Sequence, residues 1–199
     1  MKHTMWNSPL ALLLLLPVIV ELPCRAQEKK FAGAGVVELS GSVSFASLTP
    51  VSNGETGDAT SIFSFGPQIA YFLTDGIAIG FNPGITLIPG ISIVTPSEGE
   101  NTTVTQLFIF PGGNILLPSG STALFAEVPL GYTSISSGDN KASGFSWGVK
   151  AGVKIVPEGQ VLVSIFGEYL VVTLNPEDST SERNGFNYVL FGVSIGGFF

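Results

Sequence analysis

Gly144-Phe-Ser-Trp-Gly148 has the spacing of a G-x-S-x-G nucleophile elbow, in which a strained strand-to-helix turn exposes a serine for acyl transfer. That chemistry needs a base, most often an imidazole, within hydrogen-bond reach of the hydroxyl. The chain of 199 residues holds one histidine, His3, and one cysteine, Cys24, both near its start. Around Ser146 apolar and small residues alternate, so the serine belongs to a strand and not to an elbow. The other residues with chemical potential are Glu127, Lys150 and Glu168, each embedded in an apolar stretch. Two carboxylates could do acid–base work, but each of these has an ion-pair partner to hand in Lys150.

The N-terminus bears on which of these groups survive. Lys2 precedes an apolar run over 10–20, and a small residue, Ala26, precedes Gln27. This pattern predicts a cleaved secretory signal over 1–26. A lipoprotein signal through Cys24 is the alternative, although Leu22-Pro23 makes a poor lipobox. An anchor helix would need roughly 20 apolar residues, and the run is too short for one. Cleavage after Ala26 removes His3 and Cys24, leaving a chain with no imidazole, no thiol and no disulfide. The expectation is a protein that is not an enzyme and that takes no cofactor and no metal. Beyond residue 26 stand fourteen acidic and six basic residues, a balance that argues against nucleic acid as partner.

The elements that position these residues follow from periodicity. Charged residues are 12% of the chain, half of the ~25% usual in soluble domains. Yet no apolar run after the N-terminus could span a membrane as a helix. Instead, period-2 alternation predicts eight strands, at 35–46, 60–73, 77–88, 105–117, 122–135, 144–156, 160–174 and 187–199. Long polar connections follow the first, third, fifth and seventh strands, at 47–59, 89–104, 136–143 and 175–184. Tight turns follow the others, at Thr74-Asp75-Gly76, 118–121 and 157–159. Long loops on one side, short turns on the other and strands of this length predict an eight-stranded antiparallel up-and-down transmembrane β-barrel over 35–199, after a periplasmic lead at 27–34.

Energetics then assign the faces. A lysine facing lipid at the midplane costs ~2–4 kcal/mol, so charged side chains within strands must point inward. The predicted interior polar set is Glu38, Gln68, Asn82, Glu127, Lys150, Lys154 and Glu168, with Glu127, Lys150 and Glu168 forming an ion-pair network. Phe108, Phe110, Phe166 and Leu162 share the interior and would plug a channel. Pro67, Pro83, Pro111 and Pro129 each remove a ladder donor inside a strand, so irregular pairing is expected beside them.

The stretches Tyr71-Phe-Leu-Thr-Asp-Gly-Ile-Ala-Ile-Gly80, Ala123-Leu-Phe-Ala-Glu-Val-Pro-Leu-Gly-Tyr132 and the terminal strand ending in Phe199 resemble the small outer-membrane β-barrel family, OmpA-like and OmpX-like. The resemblance covers essentially the chain after residue 26. It implies a bacterial outer-membrane location and contact with outer-membrane lipid and lipopolysaccharide. It also implies delivery by the barrel-assembly machinery, which would read Phe191, Val193, Ile195 and Phe199. Family members often carry an arginine late in the fourth strand, where this chain has Phe110-Pro-Gly-Gly-Asn114, so its interior network would be built differently. Barrel enzymes acting on lipid A and outer-membrane proteases resemble one another in using histidine, which is missing here after residue 26.

The predicted loops are acidic, with Glu55, Asp58, Glu98, Glu100, Asp139, Glu177, Asp178 and Glu182 against Lys141 and Arg183. Repulsion from anionic lipopolysaccharide accounts for that sign, and divalent-cation bridging or a basic surface ligand is the functional alternative. The expected role is a monomeric, non-enzymatic barrel with an unknown surface ligand or an envelope-integrity role. A small pore and a secreted soluble lipid-binding barrel are the alternatives. In the last case the apolar face would turn inward.

Overall fold

The computed structural model describes residues 30–52, 54–88, 102–137, 140–174 and 184–199. The signal at 1–26, the start of the lead and most of the predicted connections at 89–104 and 175–184 lie outside the described residues, with Glu98, Glu100, Asp139, Glu177, Asp178, Glu182 and Arg183. Among the described residues there are ten strand segments: β1 (Val37–Ser52), β2 (Glu55–Thr56), β3 (Thr60–Thr74), β4 (Ile77–Ile88), β5 (Thr102–Leu116), β6 (Thr122–Glu127), β7 (Leu130–Ser137), β8 (Asn140–Ile155), β9 (Val161–Leu174) and β10 (Asn184–Phe198). β6 and β7 form one stave interrupted at Val128-Pro129, and β2 is a two-residue pairing against the end of β1. Every neighbour runs antiparallel, and β10 pairs with β1. The result is a closed eight-stranded barrel.

Closure is continuous from Glu38↔Phe198 to Val51↔Gly185. At the rim, Val37 and Phe199 exchange two backbone hydrogen bonds, of 3.0 and 2.8 Å. Alternation sets the faces as polarity requires. Phe63, Phe65, Phe145, Phe191 and Ile195 are among the apolar side chains left exposed outside, while Glu38, Gln68, Glu127, Lys150 and Lys154 are buried inside. An apolar exterior around a polar-centred interior, with the backbone paired largely within a closed wall, is the arrangement a bilayer demands. The soluble alternative, with the apolar face inward, is excluded by this orientation.

Two predicted connections are shorter than expected. The segment 47–59 is largely strand, since β1 runs to Ser52 and β2 pairs back onto it. Likewise β7 and β8 pair from Ser137↔Asn140 onward, which reduces 136–143 to a tight hairpin. Ladder hydrogen bonds need no apolar side chains, so strands continue past the greasy belt through Ser, Thr and Asn. Apolar periodicity marks only the belt.

The lead is not a free tail in its described part. Phe31, Ala32 and Val36 are buried with Ala70, Phe72, Ala78, Ala123, Leu162 and Phe198 at the short-turn end. The Phe31 ring lies 5.5 Å from that of Phe198. Asp75 Oδ1 accepts a 2.9 Å bond from the Ala34 amide, and Gly76 N donates to Ala32 O at 2.8 Å. Gly76 has a φ of 77° in this turn, where a Cβ would stand 2.6 Å from Asn114 O.

Candidate functional site in the barrel interior

Because interior positions recur every second residue, β1, β3, β6, β8 and β9 each aim a polar group at the barrel axis. Lys150 is opposite Glu127 on one side and Glu168 on the other. Its Nζ lies 3.3 Å from Glu127 Oε2 and donates to Gln68 Oε1 at 3.0 Å. Gln68 Nε2 in turn reaches Glu127 Oε2 at 3.5 Å. Lys154, two pleat repeats further along β8, holds Glu38 through bonds of 2.8 and 3.1 Å and approaches Glu127 Oε1 at 3.8 Å. Glu127 is thus shared between the two lysines.

Aromatic faces complete the shell. Lys150 Nζ lies 4.4 Å from the Phe166 ring centroid, and Lys154 Nζ 5.0 Å from that of Phe125. The electron-rich faces stabilise ammonium groups that have left water. Buried ion pairs are costly to desolvate, so this layer fixes one interior arrangement more than it adds stability.

The predicted polar set divides by role. Glu38, Gln68, Glu127, Lys150 and Lys154 form one bonded group. Glu168 lies beside Lys150 in register yet makes no ion pair with it; Lys154 supplies the second pair instead, with Glu38. The expected Glu168–Lys150 pair is corrected accordingly, because Glu127 and Gln68 occupy the ammonium from the other side. Asn82 lies apart, next to Gly66, on the wall of a cavity that Glu168 also lines. The Glu38–Lys154 pair eluded sequence reasoning because 116 residues separate its members. Only closure of β1 on β10 brings them together.

Ser146, the serine of the elbow string, is fully buried in β8 and shares a 2.6 Å hydrogen bond with Thr133 Oγ1. It has no turn, no exposure and no base. The charged layer is flanked on both sides by apolar packing. Toward the short turns lies the cluster around Phe72 and Phe198; toward the other end lie Phe108, Phe110, Leu170, Val172 and Phe186. Phe108, Phe110, Phe166 and Leu162 are all interior and buried, in the plugging positions predicted for them. Phe191, Val193, Ile195 and Phe199 form an exposed outward row along the end of the chain.

No protein-family model matches the sequence, and a search of curated proteins finds no match either. Solved structures do match. Neisserial surface protein A is 12% identical, with 82% of this chain and 98% of that one covered and a TM-score of 0.61. The outer membrane protein OprG from Pseudomonas aeruginosa is 11% identical over 83% and 95% of the two chains, with a TM-score of 0.54. Ail, the attachment invasion locus protein of Yersinia pestis, is 13% identical over 83% and 99%, with a TM-score of 0.52. At such identities the likeness is one of fold. That fold, with its apolar outer surface, is the small bacterial outer-membrane β-barrel. What this chain shares with them is the eight-stranded barrel fold.

Proposed function

We propose that this chain is a non-enzymatic, monomeric outer-membrane barrel whose work is done at its outer surface, in binding a surface ligand or in maintaining the envelope. The observation that carries this reading is the filled interior. An ion-paired layer between two apolar plugs leaves little for the lumen to do beyond holding the wall in shape. The absence of histidine beyond His3 supports the non-enzymatic part. The acidic character of the connections, with Glu55 exposed in β2 and Asp58 exposed just after it, supports a surface that repels anionic lipopolysaccharide or bridges to it through cations. The barrel-assembly machinery is the proposed partner of the outward row Phe191, Val193, Ile195 and Phe199.

A heat-modifiability gel on outer-membrane fractions tests the frame: the unboiled barrel should migrate differently from the boiled chain. A soluble protein without that shift would overturn it. The surface role is tested by complementing a deletion strain, scored for detergent sensitivity, with the intact chain or one in which the loop carboxylates are amides. Equal rescue by both would remove the loops' acidity from the function. Stepwise single-channel conductance in planar bilayers would replace this reading with the pore.

A further inference from the structure

The interior charges do not balance. Among the described residues three carboxylates, Glu38, Glu127 and Glu168, point into the barrel against two ammonium groups, Lys150 and Lys154. Both lysines are engaged, Lys150 by Glu127 and Gln68, and Lys154 by Glu38 and, at longer range, Glu127. Glu168 makes no ion pair with either of them. A carboxylate left uncompensated inside a wall is strongly destabilising, so one positive charge is needed beyond those of the chain.

Glu168 faces a cavity of about 70 Å³ whose lining is rich in oxygen. Two side-chain carbonyls converge there: the point that a Cβ on Gly84 would occupy lies 3.6 Å from Asn82 Oδ1 and 3.8 Å from Gln106 Oε1. Ser42 donates to Gly66 O at 3.1 Å, and Ser44 and Ser64 share a 2.6 Å bond, so lone pairs on these hydroxyls remain for a ligand. The Tyr188 hydroxyl and Gln106 Nε2 are buried in the same lining without a hydrogen-bond partner, and Tyr188 as a whole is 4% exposed. At ~10–15 Å³ for one water, the space takes an ion together with several waters.

The chemistry of the lining selects the occupant. Carbonyl, hydroxyl and carboxylate oxygens suit a hard cation, which needs neither imidazole nor thiol. One carboxylate supplies one charge, and no group of three His, Cys, Asp or Glu lies together among the described residues, which disfavours a divalent ion. An anion would meet Glu168. An organic ammonium would leave Tyr188 and Gln106 Nε2 without acceptors, a need that water carried with a metal ion fills. Lys150 also lines the cavity, but its charge is answered by Glu127 at 3.3 Å.

We propose that this cavity is a site for one partly hydrated alkali-metal cation, which neutralises Glu168 and is held, directly or through its waters, by Asn82 Oδ1, Gln106 Oε1 and the serine hydroxyls. The inference needs only the closed barrel and holds whatever the outer surface binds. Phe108 and Leu170 line the cavity and belong to the adjoining apolar cluster, so the ion is enclosed as the barrel forms.

The test refolds the protein in detergent micelles with the chloride of sodium, potassium or N-methylglucamine, at one pH and one ionic strength. The urea midpoint should be higher in sodium or potassium than in N-methylglucamine, which is too large for the cavity. Glu168→Gln, which keeps the shape and removes the charge, should abolish that difference. Glu158→Gln makes the same change at an exposed turn and should leave it intact. Gly84→Ala, whose Cβ would meet neighbours no nearer than 3.6 Å and so fits, should reduce it. Crystals grown with thallous acetate should show an anomalous peak inside the cavity beside Glu168. Equal midpoints in all three salts would overturn the proposal, leaving Glu168 to carry a proton instead. So would a salt difference that survives both Glu168→Gln and Gly84→Ala, or thallium found only on the surface. Should Glu168→Gln fail to fold, Gly84→Ala and the thallium peak decide the matter.

Discussion

Lys154 Nζ lies 2.8 Å from Glu38 Oε2, and this contact joins the eighth strand segment to the first across the barrel axis. Neither group has water to fall back on, since both residues are almost wholly buried. Lys154→Met should therefore cost ~3–5 kcal/mol by leaving a buried carboxylate unpaired. The double variant Glu38→Gln/Lys154→Met should lose much less than the two singles summed. Equilibrium urea unfolding of the refolded barrel measures all three, and additive losses would show that the pair is not an energetic unit.

The outward face makes the opposite demand. Val193 is exposed in the middle of the closing pair of strands, opposite Val43 and Ile165. Val193→Lys should lose ~2–4 kcal/mol in lipid, whereas Val193→Leu should be nearly neutral. Folding titrations in vesicles give the comparison, and a harmless lysine there would argue that this face does not meet lipid.

Interior glycines act as sockets for the rings that surround Lys150. A Cβ on Gly80 would lie 2.5 Å from Phe110 Cδ2, and one on Gly192 would lie 2.6 Å from Phe166 Cζ. Gly80→Val and Gly192→Val should each cost ~1–3 kcal/mol through overpacking. Gly113, where a Cβ meets nothing nearby, should accept alanine with little change in the urea midpoint.

Ser146→Ala leaves Thr133 without its hydroxyl partner inside the wall, a loss of ~1–3 kcal/mol in unfolding free energy. A fluorophosphonate probe should label neither the parent nor the variant. Labelling confined to the parent would reopen the hydrolase reading of the G-x-S-x-G string.

The strands and their faces were legible because each side chain's face follows from counting by two, and a bilayer punishes any error. The interior position of Lys150 and Glu127 follows from that count alone. Glu38 with Lys154 did not, because register across the closing seam depends on all the intervening turns. The ends of β1 and β8 were missed where Ser, Thr and Asn replaced apolar residues outside the belt. The burial of Phe31 and Ala32 was missed for a different reason. A short Phe-Ala-Gly-Ala-Gly segment has no periodicity, and only the open mouth of a barrel gives it somewhere to go. The four prolines pointed to irregular pairing, but that Pro67 would stand opposite Pro83 depended on the length of the turn at Asp75-Gly76.

The seam between β1 and β10 also sets an order of events. Leu48 pairs with Tyr188, and Glu38 with Phe198, so the first strand waits for partners well over a hundred residues downstream. Hairpins such as β3–β4 can form as soon as their few residues are available, but the ring cannot be joined until the far strand arrives. Until then both edges are open templates for other chains. Two unpaired edges that persist until the last strand arrives are thus written into the topology, and the slowest step should be ring closure, sensitive to changes in β1 and β10 and indifferent to those in β5.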